Sequence, residues 1–470
     1  MTRRLLLACL LAAATLPLWP SSAAAATACG FDASEDNYEF TGAVSNDWSV
    51  AGNWDRGIVP GEVFSLLATT NDQACIPAGK TAEIGGTADD TGVKIDLRRL
   101  VSDGIVTVNR GSKLWINGDS SHPSRARAVN QLASTIGGHG KLTITGWLHW
   151  TSLENGAATQ TTREVLSDHS FIGGDPEGTP GRTVIAPGAQ LLIDGPFGAC
   201  TPCGGVNLYD RRFIDNFGTT TLSKAGYVAA DAGTTFTNFR TSSAIGRLVI
   251  ANNRGWYQGF TGPPNLINAG TITKTAGTGV SILDVNYTRT LNGHTGTVSV
   301  AKGTLQIWSD FNTVTVSPGA TFGTAGCATE QSPTCNPEAT TANTQAEVVK
   351  LPAITGAPSA PVAITELTTM PPPNTIGREV TINTPGAAAS STEPMLFTFL
   401  YDATVVPVGF VASNYRVLRD DVPLGPCPAT GTGSAVACTA SIGFTTAGDL
   451  KVVVRTTDNS KFCIRKLYSS

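Results

Sequence analysis

Charge is scarce in this chain: of 470 residues only 14% are Asp, Glu, Lys or Arg, and the formal net charge is -4. Such a balance excludes a polybasic nucleic-acid binder and an acidic disordered chain. Beyond the first 28 residues no apolar run approaches the ~18 residues of a membrane-spanning helix. Helical periodicity is lacking as well, because few windows carry apolar residues at three- and four-residue spacing without an interrupting glycine or proline. No Gly-x-Ser-x-Gly elbow, EF-hand loop or calcium-binding nonapeptide repeat occurs, so neither a serine hydrolase nor a calcium site has a motif behind it.

What is present is a recurring phrase: an aliphatic residue, two linking residues, a glycine, then two or three residues to the next apolar one. It occurs at Gly79, Gly111, Gly188, Gly233, Gly303 and Gly319, at intervals of 32, 77, 45, 70 and 16 residues. Each copy reads as two short strands hinged by a glycine turn. Strict alternation supports strands, as in GKLTITG, where Leu142 and Ile144 face one way and Thr143 and Thr145 the other. The fold class is all-β. Uneven intervals argue against a propeller, whose blades recur at about 40 to 50 residues. They suit a parallel β-helix, whose corners tolerate loops of any length because each rung contacts only its neighbours.

The organisation expected along the chain is as follows. Residues 1–28 read as a signal peptide, with Arg3 and Arg4, an apolar run and small residues before a cleavage point. Residues 29–64 form an N-terminal cap in which Trp48 and Trp54 cover the open end of the stack. Residues 65–325 form the parallel β-helix. Residues 326–377, rich in Pro, Ala and Thr, read as an extended linker with a local disulfide or a loosely attached strand. Residues 378–470 have the length and strand spacing of an immunoglobulin-like β-sandwich.

Ten cysteines are present, and Cys9 lies in the leader. In an oxidising compartment the remaining nine are expected to form local pairs. Spacing predicts Cys29 with Cys75, Cys200 with Cys203, Cys327 with Cys335 and Cys427 with Cys438, leaving Cys463 unmatched.

The strings GHGKLTITGWLHW, GRTVIAPGAQLLIDG, DRRFIDNFGTTTL, INAGTITKTAGTGVSILDVNY and TGTVSVAKGTLQI, in that order, resemble the right-handed β-helix modules of secreted bacterial adhesin-like proteins. In that group an Asn-x-Gly-Thr phrase opens successive rungs. The resemblance covers roughly residues 30–325, and the last 93 residues resemble sandwich modules appended to secreted bacterial proteins. It implies an extracellular, surface-associated protein and supplies no catalytic motif.

Candidate chemistry is weighed against packing. Gly138-His139-Gly140 resembles a polygalacturonase string, yet that family's Asn-Thr-Asp, Asp-Asp and Arg-Ile-Lys strings are absent. Asp210, Arg211, Arg212 and Asp215 form the densest charged cluster, but five-residue spacing in a strand sets the two carboxylates on opposite faces, so surface ion pairing is expected. The loop with Asp168, His169, Asp175 and Glu177 offers oxygen ligands without a calcium motif. Aromatic side chains are the better candidates, since flat rings beside hydroxyls suit stacking on the C–H face of a sugar. These are Trp256, Tyr257 and Phe260, together with Trp147 and His149. Because Trp147 and Trp150 point to opposite faces, one of the two is expected in the core. The resulting expectation is a secreted, monomeric, non-catalytic glycan- or protein-binding module with no cofactor. A polysaccharide lyase or hydrolase with carboxylates from separate rungs, and a structural envelope component, remain alternatives.

Overall fold

All six marker glycines adopt positive φ, between 71° and 88°. This left-handed conformation costs an L-residue about 1–2 kcal/mol and costs glycine nothing. The phrase is therefore a chain reversal written into the backbone. The computed structural model describes residues 37–61, 72–85, 92–119, 121–127, 135–137, 140–151, 170–172, 181–195, 205–208, 212–258, 262–307, 311–324, 345–366, 374–428, 436–446 and 448–466. These residues form short strands with no α-helix among them.

The strands fall into three long sheets, and the chain visits them in rotation. Gln73–Ile76 joins the first sheet, Thr81–Ile84 the second and Lys94–Leu97 the third, and the cycle then repeats from Arg99–Ser102. Eight such cycles end with Asn286–Thr288, the last strand of the third sheet. Pairing within these stacks is parallel and in register, so each residue type forms a column through successive turns. One inward column of the third sheet runs Leu97, Ile116, Ile144, Ile185, Asn216, Asn238 and Asn268. Aliphatic columns from all three sheets meet in one continuous core.

The change from isoleucine to asparagine in that column coincides with the Asn-x-Gly-Thr phrase at Asn216 and Asn268, and Asn238 continues it without the glycine. Asn216, Asn238 and Asn268 are fully buried. Asn216 Nδ2 donates to Asn238 Oδ1, and Asn238 Nδ2 to Asn268 Oδ1, both at 2.9 Å. Each amide also donates to a carbonyl that opens a first-sheet strand in the next turn: Arg247, Thr271 and Thr297 respectively. The asparagines thus stitch the corner between the third and first sheets, where the turning backbone leaves buried carbonyls to satisfy.

The open end of the first turn is closed by aromatics. Trp48, Trp54 and Phe40 are buried and pack edge to face, with Trp48 Nε1 donating to Pro60 O and Trp54 Nε1 to Trp48 O. At the other end the first and second sheets continue without a break into antiparallel strands. Phe311–Val316 pairs with Ala360–Glu366, and Thr321–Thr324 with Gln345–Lys350. Composition conceals both new strands: prolines 352, 358 and 361 crowd the inward set Ala360, Val362 and Ile364, yet these three are buried. Thr324 Oγ1 donates to the buried Glu347 at 2.7 Å across this junction. Seven further described strands, Thr375–Asn383, Met395–Tyr401, Tyr415–Arg419, Val422–Pro423, Ala437–Phe444, Leu450–Thr456 and Ser460–Lys466, extend the same two sheets.

Cys427 and Cys438 form a disulfide, and Cys463 is free and buried. Burial raises its thiol to about 11. Cys75 is disulfide-bonded, while Cys29, Cys200, Cys203, Cys327 and Cys335 lie outside the described residues, as do residues 1–28. No helix among the described residues is long and apolar enough to cross a membrane.

Lys274 and Asp284 are buried in the turns with no opposite charge in hydrogen-bond contact among the described residues. Lys274 Nζ donates to Asn252 O, Ala276 O and Ser281 Oγ at 2.6–3.0 Å, and burial lowers it to about 8. Asp284 is raised to about 6 by burial, opposed by a backbone hydrogen bond from Gln258. Its folded state holds a proton that the unfolded chain releases between about pH 4 and 6, so its contribution to stability is lost as pH rises through that window. At about 1.4 kcal/mol per pH unit, Asp284→Asn is expected to stabilise the protein by roughly 2–3 kcal/mol at pH 7. Denaturation midpoints at pH 7 and pH 4 check this: the gain should vanish at pH 4, and an equal gain at both would exclude titration as its cause.

Candidate functional site

Strand alternation decides which aromatic residues reach solvent. In Trp147–Thr151, Leu148 and Trp150 point into the core, while Trp147 is 37% exposed and His149 half-buried on the outer face of the first sheet. In Trp256–Gln258 the parity is reversed. Trp256 is 2% exposed and stacks edge-on against Phe236 at 5.0 Å, as part of the core. Tyr257 points the other way but is buried in a small cluster with Tyr227 and Ile282. Neither presents a ring face for sugar stacking, which corrects the expectation drawn from the glycine- and proline-rich loop. Phe260 lies outside the described residues.

Arg212 and Asp215 are the described members of the charged cluster. Arg212 is fully buried, its Nε donating to Thr183 Oγ1 at 2.8 Å, and burial lowers it to about 9. Surface pairing was the expectation for it. Asp215 pairs with Arg182 of the adjacent turn. Asp168, His169, Asp175, Glu177, Asp210, Arg211 and His139 lie outside the described residues.

Around Trp147 the register assembles what the linear sequence keeps apart. His149 Nε2 lies 3.2 Å from Asp194 Oδ2, 45 residues along the chain and on the neighbouring strand. Lys224 Nζ approaches the same oxygen to 2.6 Å from the strand after that. Lys224 ends its strand at φ 47°, a backbone region costly for lysine. Burial alone would raise the Asp194 carboxyl, but hydrogen bonds and charge from His149 and Lys224 outweigh it and hold the group below the usual carboxylate range. Asp194 Oδ1 is buried and has no donor among the described residues. Gln190 and Thr219 extend the Trp147 column on successive strands.

On the opposite side of Trp147 lies a cavity of about 90 Å3, lined by Gln73, Arg98, Arg99, Asn117, Asp119 and His122. Trp147 N donates to Asn117 O and Gly118 O at 2.8 and 3.1 Å, so the cavity wall and the indole share one backbone corner. Asp119 Oδ1 accepts from Ser121 Oγ, Ser121 N and His122 N, which holds the carboxyl at about 2.

Among the described residues no three His, Cys, Asp or Glu side chains converge so as to hold a metal ion. Comparison of the chain with protein families, with curated proteins and with solved structures finds no match. Of the residues singled out from sequence, Trp147 and His149 come together at one site. Asp194, Lys224 and Gln73 were missed, because only the strand register brings them near.

Proposed function

We propose that this protein is a secreted, adhesin-like contact protein: a right-handed parallel β-helix followed by an immunoglobulin-like sandwich, binding glycans on the outer face of its first sheet. The three-sheet rotation with in-register columns supports the β-helix, and the antiparallel strands of the last hundred residues support the sandwich. The disulfide and the apolar leader support export.

The observation that carries the binding reading is the exposed Trp147 ring on a rigid strand, flanked by the His149–Asp194–Lys224 network. An indole face packs on the apolar face of a pyranose, while His149, Gln190 and Thr219 offer partners for its hydroxyls. Hydrolysis of a glycoside ordinarily needs two carboxyl groups about 5–10 Å apart. The hydrogen-bonded network around Trp147 contains one, and its Oδ2 is engaged by a lysine and a histidine. Contact is therefore favoured over turnover.

Binding to immobilised neutral polysaccharides tests this reading. Trp147→Ala is expected to weaken binding at least tenfold with no change in the far-ultraviolet circular dichroism. Trp256→Ala, which opens a core cavity, is expected to cost about 3–5 kcal/mol of stability instead. Undiminished binding by folded Trp147→Ala would remove the site.

A further inference from the structure

On the outer face of the third sheet, cations stand in a column. Lys94–Leu97, Lys113–Ile116, Lys141–Ile144 and Arg182–Ile185 are consecutive strands of that sheet, paired in register, so their first residues line up along the stack. All four cations are exposed. Arg182 is matched by Asp215 of the next strand. Lys94, Lys113 and Lys141 have no side-chain hydrogen bond or ion pair among the described residues. Asp96 is the one carboxylate on these four strands, and its Oδ1 accepts from Asn117 Nδ2 at 2.9 Å. Like charges on directly opposed residues of paired strands repel and lower stability. The strand position does not require lysine, because Phe213, Thr235, Asn265 and Asn286 hold it in later turns. Nor do the lysines merely guard a sheet edge, since Lys113–Ile116 and Lys141–Ile144 are paired on both sides.

We infer that this column is a docking surface for a linear acidic polysaccharide lying along the stack, with carboxylates or sulfates of successive sugars facing Lys94, Lys113 and Lys141. Two strand spacings separate the first lysine from the third, about 10 Å, so the surface matches a run of charges rather than one small anion. A bound polyanion also relieves the repulsion within the column. An ammonium is a compact point charge without the planar fork of arginine, and it pairs with either anionic group. Trp115 lies half-buried two residues beyond Lys113 on the same face, an apolar ring beside the charges that suits the C–H face of a sugar. A polynucleotide carries a charge about every 3.4 Å of each strand, more than three lysines neutralise. The chain's net charge of -4 repels that excess, which favours a glycan with one charge per sugar. The column lies on a different sheet from Trp147 and stands or falls separately from the platform there.

Calorimetric titration of the full chain at several salt concentrations tests the assignment, with an oligogalacturonide, its carboxyl-reduced neutral counterpart, a sulfated oligosaccharide and a single-stranded oligonucleotide as probes. At low salt a charged glycan is expected to bind at least tenfold more tightly than the neutral one, and the preferred charged glycan identifies the group accepted. Its log affinity should fall against log salt with a slope of about -2, from roughly 0.7 counterions released per lysine. Lys113→Gln is expected to weaken charged-glycan binding severalfold and flatten that slope by about 0.7, while the denaturation midpoint holds or rises as repulsion is relieved. Lys302→Gln removes an exposed lysine from a first-to-second-sheet corner several turns later and should change neither. Equal affinity for charged and neutral glycans would overturn the docking surface, as would equal losses in the two lysine variants. Tighter binding of the oligonucleotide would overturn the glycan assignment. Loss of the charged-over-neutral preference in Trp147→Ala would move the contact to the Trp147 platform and remove the column as a site.

Discussion

Asn238→Leu is expected to destabilise the protein by about 2–5 kcal/mol, even though leucine nearly fills the space asparagine leaves. Asn238 donates to Asn268 Oδ1 at 2.9 Å and to Thr271 O at 2.8 Å, and accepts from Asn216. Leucine would leave two buried acceptors facing an apolar side chain and remove one of the bonds of Asn216, at about 1–3 kcal/mol for each buried group left unpaired. Shape is not the obstacle, since Ile185 occupies the same column one turn before Asn216. The cost therefore isolates hydrogen bonding at the corner from packing. Denaturant titration measures it, and a loss below about 1 kcal/mol would show that the asparagine ladder is ornamental.

Gly146→Ala is expected to be more damaging still. A Cβ there would lie 1.3 Å from Asn117 O and 2.1 Å from Gly118 O, both backbone atoms of the previous turn. Neither can rotate aside, so the strand opening with Trp147 must separate from its neighbour, and a loss above about 4 kcal/mol is expected. Because Trp147 N donates to the same two carbonyls, any surviving folded protein should also lose the proposed contact at Trp147. Gly188→Ala provides the contrast. Gly188 sits at φ 81° with nothing within 4 Å of the point an alanine methyl would occupy, so only the backbone conformation opposes alanine, at about 1–2 kcal/mol. Thermal denaturation of the two variants separates close approach from left-handed backbone, and equal losses would contradict the distinction.

These two glycines show how much of the fold was legible. The repeated phrase marks real chain reversals, but it marks different corners. Gly79, Gly303 and Gly319 lie between first- and second-sheet strands, Gly111 and Gly233 between second and third, and Gly188 between third and first. Their intervals are uneven for that reason as well as for loop length. The actual repeat is more regular: first-sheet strands from Gln73 to Thr297 begin about 23 to 29 residues apart, with a single interval of about 43 between Trp147 and Gln190. Following glycine conceals that period, because any corner can use a glycine turn.

The site was half legible. Alternation alone separates Trp147 from Trp150, a local property of one strand. It fails at Trp256, where only three residues form the strand and the flanking Gly, Arg and Pro suggest an exposed loop. Asp194 and Lys224 meet His149 through pairing between strands tens of residues apart, and no local spacing encodes that register.

Contact without turnover is tested best by incubating the full chain with a neutral polysaccharide and following both the bound fraction and the polymer's chain length. Saturable binding is expected, lost in Trp147→Ala, with the polymer intact after prolonged incubation. A shortened polymer would contradict a contact protein and move the chemistry to carboxylates outside the Trp147 site, and no binding at all would remove the site itself.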